Sequence, residues 1–255
     1  MKIRVLGCDG GELKGYFPVA FLINDHLLFE AGSVTSKLSL QEQLKIKEII
    51  ISHSHLDHIK DLCFLADNLF LSGAGHPTIP IYSSEAILTD LKKNIFNGII
   101  WPDVTKIPSL EHPLYQLRSI KSTLTLSELK VEAIAVTHSH AALGYIISDK
   151  KGAIVFSGDT GPTEELWEKV NTLKNLKALF LEVSFPSGLA DIAWASRHLS
   201  VETVIREIKK IKHHPTVPIY LYHLKPVYAQ KIQAEIKKLH MPRLKILKSG
   251  SLLHV

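Results

Sequence analysis

The segment His53-Ser54-His55-Leu56-Asp57-His58 packs three imidazoles and a carboxylate into six residues, one residue after the apolar run Ile49-Ile50-Ile51. No hydrophobic core requires that composition. Two histidines two residues apart, followed by an adjacent Asp-His pair, can present ligands to two metal ions about 3.5–4 Å apart, a spacing suited to hydrolysis. A merely polar turn would not call for further ligands downstream. Here candidates for them exist.

The chain has 255 residues, 45% hydrophobic and 22% charged, which is ordinary globular composition. That length buries a sizeable core without a disulfide. The two cysteines, Cys8 and Cys63, stand in unlike contexts and neither has a CxxC partner, so a thiolate zinc site is not indicated. They read as small buried thiols in a reducing compartment. Met1–Gly7 is a short strand pattern without the long apolar stretch of a secretory signal. No apolar run approaches the ~18–20 residues of a membrane span. The expectation is a cytoplasmic protein without a membrane partner. A net charge of +5 and a pI near 9.0 favour anionic ligands such as phosphates, weakly. The lysines are scattered, as on solvated helix faces.

No repeat, low-complexity tract or linker divides the chain, so residues 1–255 are expected to form a single domain. Short strands are expected at Ile3–Leu6, Val19–Ile23 and His26–Phe29, a helix at Leu40–Lys47, and a buried strand at Glu48–Ile51 that runs into the histidines. The periodicity predicts helices at Ile59–Leu71 and at Ser84–Lys93, the second capped by Ser84, with a strand at Ile79–Tyr82 between them. Residues Asn94–Pro113 lack periodicity and read as a functional loop. The second half predicts strands at Leu129–Val136, Gly144–Ser148, Ala153–Phe156, Ala178–Val183, Pro218–Tyr222, Leu244–Leu247 and Ser251–His254. Helices are expected at Glu164–Leu173, Ser200–Lys212 and Val227–Leu239. Strands then helices, twice over, suggest an α/β protein with two sheets packed face to face and helices outside. The candidate ligands all fall just after strand ends, where a rigid scaffold displays chemistry on loops.

His53-Ser54-His55-Leu56-Asp57-His58 resembles the signature of the metallo-β-lactamase superfamily. The resemblance implies an αβ/βα four-layer sandwich with a metal site at one edge of the sheets. Val136-Thr137-His138-Ser139-His140, followed by Gly144-Tyr145, resembles the third histidine motif. Ser157-Gly158-Asp159 resembles the bridging aspartate, and Tyr222-His223-Leu224-Lys225-Pro226 the final histidine. By that pattern His53, His55 and His138 hold one divalent ion, and Asp57, His58 and His223 a second. Asp159 bridges both. Neutral imidazoles and carboxylates are good zinc ligands, and such donors also take manganese or iron. His138 and His140 both could point into the site; His138 has the family spacing to Gly144-Tyr145. His26, His76, His112, His213, His214, His240 and His254 lack a motif.

A finer resemblance, to class II cyclic-nucleotide phosphodiesterases, runs through most of the chain. It is carried by Leu6-Gly7-Cys8-Asp9-Gly10-Gly11, Phe96-Asn97-Gly98-Ile99-Ile100-Trp101-Pro102, Leu166-Trp167, Leu181-Glu182-Val183-Ser184-Phe185, His198-Leu199-Ser200 and His223-Leu224-Lys225-Pro226. Arg197 stands where that family often has Gly, and Val183 where it has Cys. The resemblance implies hydrolysis of cyclic AMP or cyclic GMP to the 5′-monophosphate by a hydroxide shared between the metals. His198 would protonate the leaving oxygen, Glu182 would orient His198, and Asp57 would help orient the nucleophile. An imidazole suits that acid role because its pKa lies near neutrality. Trp101, Lys225 and His140 are candidate substrate contacts, and a homodimer is expected by resemblance only. Several motifs are shared with tRNA 3′-processing endonucleases, so RNA remains an alternative substrate; no long tRNA-gripping arm is evident. The interval between Asp159 and His198 reads as a helix, a strand and a short loop. A lactonase or thioesterase fits the Glu182/His198 pair less well, and a noncatalytic scaffold fits the full set of ligands less well.

Overall fold

Apolar β-branched runs bounded by polar turns build the first sheet. The computed structural model describes residues 1–255 except Ala74, His76 and His140. Strands β1 (Lys2–Gly7), β2 (Ala20–Ile23) and β3 (Leu27–Phe29) form an antiparallel meander. Then β4 (Glu48–Ile50), β5 (Ile79–Ser83) and β6 (Tyr115–Ser119) add in parallel. The second sheet repeats the arrangement. Strands β7 (Thr123–Leu126), β8 (Leu129–Ala135), β9 (Leu143–Asp149) and β10 (Gly152–Phe156) run antiparallel. Strands β11 (Leu176–Glu182), β12 (Ile219–Tyr222) and β13 (Leu244–Ile246) follow in parallel. The last strand, β14 (Leu252–His254), returns to pair with β1, giving two seven-stranded sheets. The parallel strands are buried on both faces, which is why β11 reads as a nearly continuous apolar run.

The sheets face each other across an aromatic layer. Phe156 stacks on Phe180 with ring centroids 4.3 Å apart, and Phe21 and Phe29 pack against Phe156. Tyr145 and Tyr222 close the same cluster. Helix α1 (Leu40–Gln43) is followed by α2 (Leu56–Ile59), α3 (Asp61–Leu71) and α4 (Glu85–Asp90). Leu62, Leu65, Ala66 and Leu69 of α3 cover the outer face of the first sheet. On the second sheet the outer layer is built by α5 (Glu165–Thr172), α6 (Ala190–Ala195), α7 (Val201–Ile208) and α8 (Ala229–Lys238). From this layer Leu166, Trp167, Val204 and Ile232 are fully or almost fully buried. The expected αβ/βα sandwich is the observed architecture. Among the described residues no helix is long and apolar enough to cross a membrane.

Several elements depart from expectation. The helix expected over Leu40–Lys47 stops at Gln43, because Ile46 turns inward to be buried and the Lys47 amide bonds the His26 carbonyl beside β3. Strands β6 and β7 were not anticipated. Both are half exposed, and the β7–β8 hairpin turns at Ser127 with φ +49°, where no Gly or Asn announces it. Ser84 caps α4 as expected, accepting from the Ile87 amide, but the helix then widens into a π turn at Leu91–Ile95. The short loop expected before His198 contains α6.

Phe156 is fully buried at the centre of the inter-sheet layer. Phe156→Ala is expected to lower unfolding stability by about 3–5 kcal/mol, read by chemical denaturation. A loss below about 1 kcal/mol would mean that the layer collapses around the gap.

Candidate metal centre

Five strand ends deliver side chains to one edge of the sandwich. The chain leaves β4 at Ile50 and reaches His53 and His55 before α2 turns Asp57 and His58 inward. His138 follows β8, Asp159 follows β10, Glu182 ends β11 and His223 follows β12. The loops are tied together, since the Gly161 amide donates to the Thr137 carbonyl at 2.7 Å.

All seven expected donors converge. His53, His55 and His138 form one group whose ligand atoms lie within 4.8 Å of one another; Asp57, His58 and His223 form a second. Asp159 lies between them. Its Oδ2 is 2.9 Å from His223 Nε2, 3.3 Å from His58 Nε2 and 3.7 Å from His53 Nε2. Nδ1 of His55 is 3.2 Å from Nε2 of His138. Asp159 Oδ1 and His53 Nε2 are buried and have no hydrogen-bond partner among the described residues. A buried lone pair left unmatched is costly, and a cation at this point would satisfy both atoms. The residues therefore fit a divalent metal.

Four of the five ligand imidazoles are backed by a fixed group outside the cluster, the kind of support that sets tautomer and orientation. His53 Nδ1 lies 2.9 Å from Ser52 Oγ, and His138 Nδ1 lies 2.9 Å from the Arg197 carbonyl oxygen. His223 Nδ1 is 2.8 Å from Ser184 Oγ. His58 Nδ1 is 3.5 Å from Oε2 of Glu30, a buried carboxylate whose Oε1 accepts from the Ser52 amide. Glu30, Arg197 and His223 all have φ between +55° and +66°, an uncommon conformation for side-chain-bearing residues that clusters at functional sites. Glycine adopts that conformation without strain, which fits the Gly expected by resemblance where Arg197 stands. The Arg197 guanidinium also donates to the His138 carbonyl at 2.6 Å, so this residue holds His138 from both ends.

The electrostatics separate the imidazoles. Burial depresses His53 strongly, and burial takes His138 down to about 4. Both are neutral, as a ligand must be. Burial also opposes charge on His58 and His223, but the carboxylates around them outweigh it and raise both. For Asp159, burial favours the neutral acid, yet His223 and His58 hold it well below the usual carboxylate range. A metal entering this side must displace protons, so its binding releases them.

A second pair adjoins the cluster. His198 Nδ1 lies 2.7 Å from Glu182 Oε1, and both residues are buried. The His198 ring is 4.6 Å from that of His138 and 5.2 Å from that of His223. Lys225 stands at the rim, its Nζ 3.9 Å from Asp57 Oδ2. Trp101 packs edge-on against Phe64 in the outer layer of the first sheet. His140 lies outside the described residues. Glu30, Ser184 and the role of Arg197 were missed, because each acts through a contact distant in sequence. A charged residue directly after the apolar Leu27-Leu28-Phe29 was the available signal for Glu30. Cys8 and Cys63 are buried free thiols, raised by burial to about 12 and about 11.

The Beta-lactamase superfamily domain matches residues 29–220. The chain belongs to the beta-lactamase superfamily. As a superfamily member it matches a 3′,5′-cyclic-nucleotide phosphodiesterase of Aliivibrio fischeri at 26% identity, over 81% of this chain and 74% of that one. A ribonuclease Z of Pyrococcus horikoshii matches at 30% identity over 49% of this chain and 39% of that one. The metallo-β-lactamase fold protein YhfI of Bacillus subtilis superposes with a TM-score of 0.80 at 22% identity, covering 99% of each chain. The sandwich is thus the metallo-β-lactamase fold, with the histidine cluster at its sheet edge.

Gly10 abuts this site. A Cβ there would lie 2.5 Å from the His223 carbonyl oxygen and 2.7 Å from its Nδ1. Gly10→Ala is therefore expected to displace His223 and weaken metal binding by roughly 10–100-fold, as loss of an outer support does. Chelator competition measures it, with far-UV circular dichroism unchanged. Wild-type affinity in that variant would show that the contact relaxes harmlessly.

Proposed function

We propose that this chain is a two-metal phosphodiesterase that opens 3′,5′-cyclic nucleotides to 5′-monophosphates. The observation that carries this reading is the Glu182–His198 pair, 2.7 Å apart and buried against the metal-ligand cluster. His53, His55 and His138 would hold one ion, Asp57, His58 and His223 the other, and Asp159 both. Zinc is the first choice for this donor set, while manganese and iron accept the same ligands. Bound divalent ions supply a water of lowered pKa and positive charge for the phosphoryl oxygens.

The protein side chains do the rest. Glu182 accepts a hydrogen bond from His198 Nδ1–H, so that in the doubly protonated ring Nε2–H carries the proton that is delivered. As water adds to phosphorus it gives up one proton to solvent, the bond from phosphorus to the 3′-oxygen breaks, and His198 Nε2 protonates the departing oxygen. Asp57 is partly open to solvent, with 23% of its side chain exposed, and can accept a hydrogen bond from the incoming water. Lys225 at the rim adds positive charge where a phosphate would approach. The Aliivibrio relative, named for cyclic nucleotides, supports the substrate class. The Pyrococcus ribonuclease Z supports a second reading, cleavage at an RNA 3′ end.

One assay panel on metal-reconstituted protein separates the readings: cyclic AMP, cyclic GMP, a bis-aryl phosphodiester, precursor tRNA and a lactone. Turnover of cyclic nucleotides is expected. Cleavage of tRNA without it would overturn the main reading in favour of the second, and RNA binding would then weaken steeply with salt. His198→Ala is expected to slow cyclic-nucleotide turnover by roughly 10²–10⁴-fold, the usual worth of a general acid, while metal content stays normal. Undiminished turnover would remove the acid role.

A further inference from the structure

Ser184 follows Glu182 by two residues, and its side chain is fully buried. Its Oγ lies 2.8 Å from His223 Nδ1, 3.0 Å from Glu182 Oε2 and 3.2 Å from His198 Nδ1. A hydroxyl has one proton to give, so these contacts cannot all be alike. A His223 that offers Nε2 to a cation keeps its proton on Nδ1, and that proton points at Ser184 Oγ. The Ser184 proton is then free for Glu182 Oε2. The other carboxylate oxygen, Oε1, receives His198 at 2.7 Å, together with the Thr160 and Leu199 amides at 3.1 and 3.3 Å. The shorter His198 contact is thus to the carboxylate rather than to the hydroxyl. One carboxylate serves two clients through opposite oxygens.

We propose that Ser184 is a positioning residue that couples His223 to the Glu182–His198 pair, so that a metal ligand and the leaving-group acid are oriented as one unit. The proposal rests on the phosphodiesterase reading for what His198 does, but the coupling itself does not need that reading. The chain runs His223 Nδ1–H to Ser184 Oγ, Ser184 Oγ–H to Glu182 Oε2, and His198 Nδ1–H to Glu182 Oε1. Breaking it at Ser184 loosens His223 directly. It also leaves Glu182 Oε2 buried without its donor, which frees the carboxylate to rotate away from His198.

The test is a double-mutant cycle on metal affinity, read by chelator competition with zinc on wild type, Ser184→Ala, Glu182→Gln and the double variant. Each single change is expected to weaken zinc binding by roughly 10–100-fold. The double variant is expected to match the weaker single within about threefold, because both changes break the same chain. Ser184→Thr keeps the hydroxyl and is expected to restore affinity. Wild-type affinity in Ser184→Ala, or fully additive losses in the double variant, overturns the proposal. With zinc in excess, Ser184→Ala should recover most turnover of a bis-aryl phosphodiester, whose leaving group needs no proton. Turnover of cyclic AMP should stay at least tenfold down; equal recovery of both would also overturn it. A wild-type protein inactive on both substrates would defeat the phosphodiesterase reading instead, and the affinity cycle would still decide the coupling.

Discussion

The Asp159 carboxylate is 1% exposed and sits among the imidazoles of His53, His58 and His223. An ionised carboxylate in such surroundings is tolerated only when opposite charge and hydrogen bonds compensate its lost hydration. Everything else at this edge follows from meeting that demand. Gly158 makes the approach possible: it has φ +60°, and a Cβ there would lie 2.3 Å from the Leu143 carbonyl oxygen. The turn that carries Asp159 can therefore tuck against β9. Loops from both sheets then close around the carboxylate, so the site exists only if the sheets pack in register.

That packing is supplied by the aromatic layer of Phe21, Phe29, Phe156 and Phe180 between the sheets. The sheets share one strand arrangement, antiparallel on one side and parallel on the other, and the loops that bear the donors leave the strands at the same edge. Rigid strands fix the loop roots. Backing contacts from Ser52, Glu30, Arg197 and Ser184 fix the rings. The imidazoles are thus oriented before any ligand arrives, which is what a site must do to bind without reorganising.

How much of this could be read in the chain depends on how local each signal is. His53, His55, Asp57 and His58 lie within six residues, so their spacing alone suggested that they converge. His138, Asp159 and His223 were reachable through the resemblance to the superfamily, which each of them carries in a motif after an apolar strand. Glu30 and Ser184 were not assigned: a charged residue after an apolar strand and a serine inside a motif hint at a role, but only folding shows which histidine, 28 or 39 residues away, each one meets. Arg197 was noticed only as a departure from Gly; its left-handed backbone and its grip on His138 are properties of the fold. Strands β6 and β7 do alternate, as Tyr115-Gln116-Leu117-Arg118 and Thr123-Leu124-Thr125-Leu126, but each is a short, half-exposed edge strand, and the turn at Ser127 carries no Gly or Asn to mark it. Trp101 shows the limit of a motif: its ring packs edge-on against Phe64 in the outer layer of the first sheet, a packing role that a Trp in such a segment fills as readily as a substrate contact.

The central claim is that the seven donors form one site for two ions joined by Asp159. Anomalous scattering from crystals of zinc-loaded protein, collected on both sides of the zinc absorption edge, tests it most directly. Two peaks about 3.5–4 Å apart are predicted, the usual separation in two-metal hydrolases. One should lie against His53, His55 and His138, the other against Asp57, His58 and His223, with Asp159 touching both. A single peak in fully loaded protein, or peaks away from these residues, would contradict the account.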